Sequence, residues 1–300
     1  MTRVLAFGNA TVDIIQRIAR FPAKGETLLA EGLLRCPGGK GLNQAVAAAR
    51  AGASTTLVAP IGRDGDGAFL TRFVDGEADL EATWLTCDAP TDVSIVWVDR
   101  GGENMIVSSA GCACSTTVDQ ARVHCAALNQ GDILLMQGNL SADVTRVAAE
   151  TARQKGAMTM LNTAPITWDM GPILPLFHVV VANEVEAAFL TGGTGESAPP
   201  RLIERGARTV VVTLGARGAL LAGPEGCVRI AAPEVQARDT AGAGDVLVGT
   251  LAGVLAQGAR LSAATEIAVH AAALSVTRAG TTASFPSREE LSELNMRIRN

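Results

Sequence analysis

Tyrosine is absent, and aromatic residues of all kinds make up 3% of the 300-residue chain. A surface that binds single-stranded nucleic acid by base stacking is therefore poorly supplied. Basic excess is also missing: 25 Lys and Arg face 30 Asp and Glu, a formal charge of -5. That removes the electrostatic footprint of a nucleic-acid binder and the polybasic patch of a membrane-surface protein. None of the six cysteines forms a C-x-x-C pair, and Cys112-Ala113-Cys114 has no matching second half. The pattern argues against zinc and for scattered reduced thiols. The apolar run near Met1, in "RVLAFGNATVD", is too short for a signal peptide or a membrane span. A cytoplasmic protein is expected.

Two nucleotide fingerprints are missing as well. No G-x-x-x-x-G-K-[ST] occurs, and the first strand is not followed by G-x-G-x-x-G, which argues against a dehydrogenase. What remains is 48% hydrophobic and 18% charged, enough apolar residue to bury a sizeable core.

Apolar runs at 4–8, 55–62, 132–138, 157–162, 178–183 and 209–215 read as strands, mostly uninterrupted by charge, as in strands buried on both faces. Helical patterns follow at 40–51, 64–75, 141–155, 184–191, 198–206 and 243–257. The alternation predicts an α/β fold of three layers, a mainly parallel sheet between helices, with ligands at the carboxyl ends of its strands. Residues 14–37 and 91–109 break the rhythm with Pro, Gly and a hairpin-like pair around "DRGGEN". They are expected to form a small β-sheet lid that covers a site or pairs with a second subunit. No repeat or linker is evident, and one domain over 1–300 is expected.

Four stretches carry candidate chemistry. In "DTAGAGD", Gly242, Ala243 and Gly244 can expose successive N–H groups at a helix start, an anion site. Asp245 then either caps the helix or acts as a general base toward a substrate hydroxyl while the amides hold a transferring phosphoryl group. In "PGGKGLNQAVAAARAGA", Gly38, Gly39, Lys40 and Asn43 open an alanine-rich helix, as a binding loop or an ordinary glycine turn. Asp13 lies just beyond the first strand, where substrate contacts occur in such sheets. In "NEVE", Asn183 and Glu186 either meet phosphate or water-bound magnesium, or simply start a helix.

In this order the elements resemble the ribokinase family of carbohydrate kinases, the PfkB-type sugar kinases, nearly end to end. "GGKGLNQAVAAARAGA" and "DTAGAGD" are similar to the two family signatures, "NEVEAAFLTG" to the N-x-x-E element and "VTLGARGAL" to the nucleotide loop. The first signature is most similar to that of the ribokinases. The resemblance implies a ribokinase-like fold and ATP-dependent transfer of the γ-phosphate to a sugar hydroxyl, with ribose the leading candidate. By resemblance Asp245 is the base and Gly242, Ala243 and Gly244 are the anion hole. Asp13, Gly38, Gly39, Lys40 and Asn43 match sugar-binding positions. Asn183, Glu186, Thr213, Leu214, Gly215, Ala216, Arg217 and Gly218 match the ATP and Mg2+ site. Asp239, Ala241, Ser275, Arg278, Gly280 and Ser284 match a potassium (K+) site, several through backbone carbonyls. A homodimer through the lid is implied too. Two sugar positions depart from the ribokinase pattern: Thr11 stands for the usual Asn, and Asn139 for the usual Glu. An amide in place of a carboxylate gains donors and loses charge. A deoxypentose, another furanose or a nucleoside is the alternative substrate, and a non-catalytic sugar-binding protein the alternative class.

Overall fold

The computed structural model describes residues 2–101 and 103–299. The apolar runs form strands β1 (Arg3–Phe7), β4 (Ser54–Gly62), β8 (Ile133–Gln137), β9 (Met158–Asn162), β10 (Val179–Asn183) and β11 (Val210–Thr213), all mutually parallel where they pair. They belong to one nine-stranded sheet in the order β13-β12-β11-β10-β9-β8-β1-β4-β5. Its other members are β5 (Leu80–Cys87), a parallel edge, and β12 (Ala219–Gly223) and β13 (Gly226–Ile230), an antiparallel hairpin at the opposite edge. β5 and β13 carry charge and lack the uninterrupted apolar runs of the others, whereas β12 is short, apolar and buried. β5 alternates buried and exposed residues along its length, and β13 is mostly exposed, as befits edges with one solvated side.

Alternation along the strands divides the core into two. Val4, Ala6, Leu57, Leu135 and Val181 point to one face, under α1 (Lys40–Arg50), α2 (Gly65–Val74), α8 (Ala243–Ala256), α9 (Leu261–Ser275) and α10 (Arg288–Arg299). Leu5, Phe7, Leu134, Met136 and Val180 point to the other, under α3 (Gly111–Ser115), α4 (Val118–Ala126), α5 (Ala142–Gln154), α6 (Glu184–Thr191) and α7 (Ala198–Glu204). The three-layer α/β architecture expected from the sequence is the one observed. The chain leaves β1 for β4 on one side and returns to β8 on the other. β1 and β8 thus flank a topological switch point, where the carboxyl ends of strands open a crevice.

A second sheet of four strands stands off the first, in the order β3-β2-β6-β7. It is built from β2 (Thr11–Arg17), β3 (Gly32–Gly38), β6 (Val93–Val98) and β7 (Asn104–Ser108). Asp13 is consequently not in a loop after β1. Gly8, Asn9 and Ala10 break that strand, and the chain resumes as β2, so the lid begins at Thr11 instead of 14. Residues Thr11, Asp13, Ile15 and Arg17 then share the face turned to the crevice with Cys36, Ser94, Val96 and Ile106, by register. Trp97 lies on the opposite face, where its Nε1 donates to Gln16.

One helix pair sets the geometry of the crevice. The buried face of α1 is mostly alanine, Ala45 and Ala47 through Ala49, and α8 presents Gly249 and Gly253 to it. A Cβ on Gly249 would sit 2.3 Å from the Gln44 carbonyl oxygen, and one on Gly253 2.6 Å from that of Ala48. Both obstacles are backbone, so neither helix can yield locally. Gly249→Ala is therefore expected to destabilise by about 1–3 kcal/mol in urea unfolding, the cost of overpacking. Gly65→Ala, where nothing lies within 4 Å of the added Cβ, is expected to be neutral or mildly stabilising and serves as the control.

Candidate active site

The helix that follows "GAG" starts at a residue with positive φ. Gly242 is the N-cap of α8 at φ 78° and supplies no side chain to cap it. The N–H groups of Gly242, Gly244 and Asp245 have no acceptor among the described residues, while that of Ala243 reaches the Thr240 carbonyl at 3.3 Å. Free N–H groups at a helix start, reinforced by the dipole of a 14-residue helix, make an anion cradle.

Asp245, in that first turn, does not cap. Its side chain turns away from its own backbone toward α1. Asn43 Nδ2 donates to Oδ2 at 3.0 Å, Gln44 Nε2 donates to Oδ1 at 2.9 Å, and Lys40 Nζ stands 3.7 Å from Oδ1. The residue is 6% exposed. A buried carboxylate held by two neutral donors beside free N–H groups can take a proton next to an anion, which is what transfer of a phosphoryl group to a hydroxyl requires.

A crevice of about 1460 Å³ opens above Asp245 between the two sheets. Thr11, Asp13, Gly39, Lys40, Asn43, Asn139, Asp239, Ala241, Gly242 and Gly280 all line it. Gly39 is the N-cap of α1 at φ 92°, and a Cβ there would meet the backbone of Ala10 and Thr11. Gly38 ends β3, and the space of its missing Cβ is filled by the Asp13 carboxylate. Asp13 accepts from Thr11 Oγ1 at 2.8 Å. Burial pushes its carboxyl above the usual carboxylate range, and the nearby Asp245 charge adds to that, against the hydrogen bonds from Thr11 and Ser94. Asn43 Oδ1 and Asn139 Oδ1 are buried without a partner among the described residues. Two unpaired acceptors in a crevice are unusual unless a ligand donates to them.

The other predicted residues lie outside this crevice. Asn183 and Thr213 are register partners at the carboxyl ends of β10 and β11. Asn183 and Glu186 form a capping box on α6: Asn183 Oδ1 accepts from the Glu186 N–H, and Glu186 Oε2 from the Asn183 N–H. The Glu186 carboxylate also accepts from Asn183 Nδ2 at 2.7 Å and Thr163 Oγ1 at 2.9 Å. Leu214 is buried, and Gly215, Ala216 and Arg217 make an exposed turn closed by Gly218, with Arg217 paired to Glu184.

The six residues of the expected K+ site lie in two loops, 239–241 and 278–284, and at the end of α9. Asp239 accepts from the N–H groups of Ala241 and Gly280, both at 2.9 Å, tying their two loops together. Ser275 and Ser284 are fully buried, with hydroxyls donating to the carbonyls of Ala272 and Thr281. The Arg278 guanidinium turns away to Glu290, in a second and smaller cavity. Thr281 Oγ1, in the same loop, is buried without a partner among the described residues.

Three polar residues around Asp245 go unmarked in the sequence reading: Gln44, Gln137 and Asn162. Their only sequence signal is an amide standing among buried apolar neighbours, in "LNQAVAA", "LLMQG" and "MTMLN".

The pfkB family carbohydrate kinase model matches residues 1–288. The chain belongs to this family. Mouse ribokinase is 32% identical over 300 residues, covering 96% of this chain and 93% of its own. The bifunctional ribokinase/ribose-5-phosphate isomerase A of Fructilactobacillus sanfranciscensis is 30% identical over 97% of this chain, which spans 56% of that protein's length. Among solved structures, ribokinase from Thermotoga maritima superposes with a TM-score of 0.89 at 27% identity, each chain fully covered. As a pfkB-family member the chain is an ATP-dependent carbohydrate kinase, a phosphotransferase with an alcohol group as acceptor.

Asp13 gives a test that separates stability from binding. With its carboxyl raised by burial, its contribution to stability is fully present below the ordinary carboxyl value. It is lost as pH rises through the elevated folded-state value. Asp13→Asn is therefore expected to raise the melting temperature at pH 7, with the gain vanishing as pH falls below the ordinary carboxyl value. If Asp13 meets the sugar, the same variant should lose at least ~10-fold in sugar affinity by calorimetry, the worth of a hydrogen bond to a charged group.

Proposed function

We propose that the chain is a sugar kinase of ribokinase type, with ribose the leading substrate and Asp245 the general base. The observation that carries the reading is the juxtaposition of the buried Asp245 carboxylate with the free N–H groups of Gly242 and Gly244 at the floor of one crevice. On this reading Asp245 takes the proton of the sugar hydroxyl as its oxygen forms a bond to the γ-phosphorus. The bond from that phosphorus to the β-phosphate oxygen breaks, and ADP leaves. The amides of Gly242, Ala243 and Gly244 hold the charge that builds on the transferring group.

The sugar contacts are assigned to Thr11, Asp13, Gly38, Gly39, Lys40, Asn43 and Asn139. Asp13 and the unpaired oxygens of Asn43 and Asn139 supply acceptors for a polyol, and Lys40 a donor. Thr11, whose hydroxyl already donates to Asp13, has less to offer the sugar than an amide would. ATP is assigned to the edge formed by Asn183, Glu186 and Thr213 through Gly218. Mg2+ would be held through Glu186, whose carboxylate suits a hard cation, and would neutralise charge on the phosphates. K+ would be held by carbonyl oxygens of Ala241, Ser275, Arg278 and Gly280 with Asp239 and Ser284. The unpartnered Thr281 oxygen beside them fits an oxygen-coordinated ion. One kinase domain over 1–300 in the cytoplasm goes with this reading; among the described residues no helix is long and apolar enough to cross a membrane.

A coupled ADP-release assay with magnesium-ATP, with and without potassium, tests it across pentoses, 2-deoxypentoses, hexoses and nucleosides. Ribose is expected to turn over best. A better turnover of a deoxypentose or nucleoside would mark Thr11 and Asn139 as a change of substrate, and tight sugar binding without turnover would leave a binding protein. Asp245→Asn is expected to lose about 10³-fold or more in kcat; more than a tenth of the activity remaining would remove Asp245 from the role.

The lid is read as a dimer interface. Leu34 and Ile106 on its crevice face are 54% and 58% exposed, an apolar surface a second copy would cover. Sedimentation is expected to give twice the 30.8 kDa chain mass. Ile106→Glu should return the monomer.

A further inference from the structure

The side chain that fixes the Asp245 carboxylate does not itself line the crevice. Gln44 is fully buried on the first turns of α1. Its Nε2 donates to Asp245 Oδ1 at 2.9 Å and to Asn162 Oδ1 at 3.1 Å, and its Oε1 accepts from Gln137 Nε2 at 2.9 Å. All the hydrogen-bonding positions of its amide except one lone pair are in use.

The direction of this chain follows from the backbone. Asn162 Nδ2 donates to the Val181 carbonyl at 3.2 Å, and a carbonyl can only accept. The Asn162 oxygen therefore faces Gln44 and must receive a donor. Gln44 accordingly presents its nitrogen to both Asn162 and Asp245, and its oxygen is left for Gln137. A flipped Gln44 would set its oxygen against two other oxygens. Gln137 and Asn162 are themselves register partners at the carboxyl ends of β8 and β9. Their separation is thus fixed by the central sheet, and a Cβ on Gly8 would occupy the place of Gln137 Oε1.

We propose that Gln44 is a positioning residue for the reaction, transmitting the rigidity of the β8–β9 strand ends to the base. It holds one oxygen of Asp245 while Asn43 holds the other, so the carboxylate cannot rotate. As a neutral donor it does this without adding a competing charge beside the carboxylate. This rests on the reading of Asp245 as base.

Four variants assayed for kcat, KM and pH dependence test it: Q44M, Q137M, the double variant and D245N. Q44M keeps the side-chain volume and removes the donor. Its kcat is expected to fall about 10–100-fold, part of what a general base contributes. KM for sugar and ATP should stay within about threefold, because Gln44 makes no contact with the crevice. The acid limb of the kcat–pH profile should move to higher pH. Q137M should act in the same direction and more weakly. The double variant should match Q44M alone, since Gln137 acts through Gln44. An unchanged kcat in folded Q44M, an unmoved acid limb, or additive losses in the double variant would each overturn the proposal. If Q44M does not fold, Q137M and the isosteric Q44E carry the same readouts, and Q44E should raise the acid limb further. An active D245N would instead overturn the base itself, and a dead D245N with an unaffected Q44M would overturn only the positioning role.

Discussion

The distance between α1 and α8 governs the rest of the site. Those two helices carry the residues that meet at Asp245: Lys40, Asn43 and Gln44 on one, the free N–H groups and Asp245 on the other. A leucine or valine at any of the facing alanine or glycine positions would part the helices, and the amide donors would no longer reach the carboxylate. The alanine-rich composition of α1 is thus a packing requirement with a catalytic consequence. Helix propensity alone favours alanine over leucine or methionine by only roughly a few tenths of a kcal/mol per residue, and would not exclude them.

Burial sets a second constraint, electrostatic in kind. Asp13 and Asp245 share one crevice, and Lys40, only partly buried and 3.7 Å from Asp245, is a weak counter-charge. Charge of one sign in a dry cleft favours protonation of one group over the other. The surroundings of the two carboxyl groups differ. Asp13 has a hydroxyl donor and a carboxyl raised by burial, whereas the Asp245 carboxylate lies between two amide donors from α1. Two carboxylates in one crevice are thereby held by different sets of donors.

How much of this was legible in the chain depended on the range of the contact. The parallel strands were legible because burial on both faces leaves uninterrupted apolar runs such as "DILLMQG" and "HVVVAN". The helix starts were legible because glycine and polar residues punctuate them within a few positions. β5 and β13 were not, since each is an edge strand carrying a charge, Glu81 in one and Arg229 in the other. The start of β2 was hidden because Gly8 to Ala10 read as a loop, although the chain re-enters a sheet at once. Least legible was the amide chain around Gln44, whose partners lie 93, 118 and 201 residues away. No local spacing encodes such a contact; only the sheet register and the helix packing together produce it.

That difference in legibility follows the physics of the site. Groups that touch a phosphate or a sugar need backbone freedom, and backbone freedom is written in glycine. Groups that hold a catalytic side chain still need rigidity, which comes from packing between elements far apart in sequence. Gln44 stands where the two meet: one turn into a glycine-opened helix, yet anchored through Gln137 and Asn162 to the ends of two central strands. The lid half of the crevice is tied to the body through Arg35, which pairs with Asp66 and lies over the Phe69 ring of α2. The chain passes between lid and body through short connections such as residues 8–10, and the crevice face of the lid mixes apolar Ile15, Val96 and Ile106 with polar Thr11, Asp13, Arg17 and Ser94. The Asp245 carboxylate is held from the sheet side, through α1, and no hydrogen bond from the lid reaches it among the described residues.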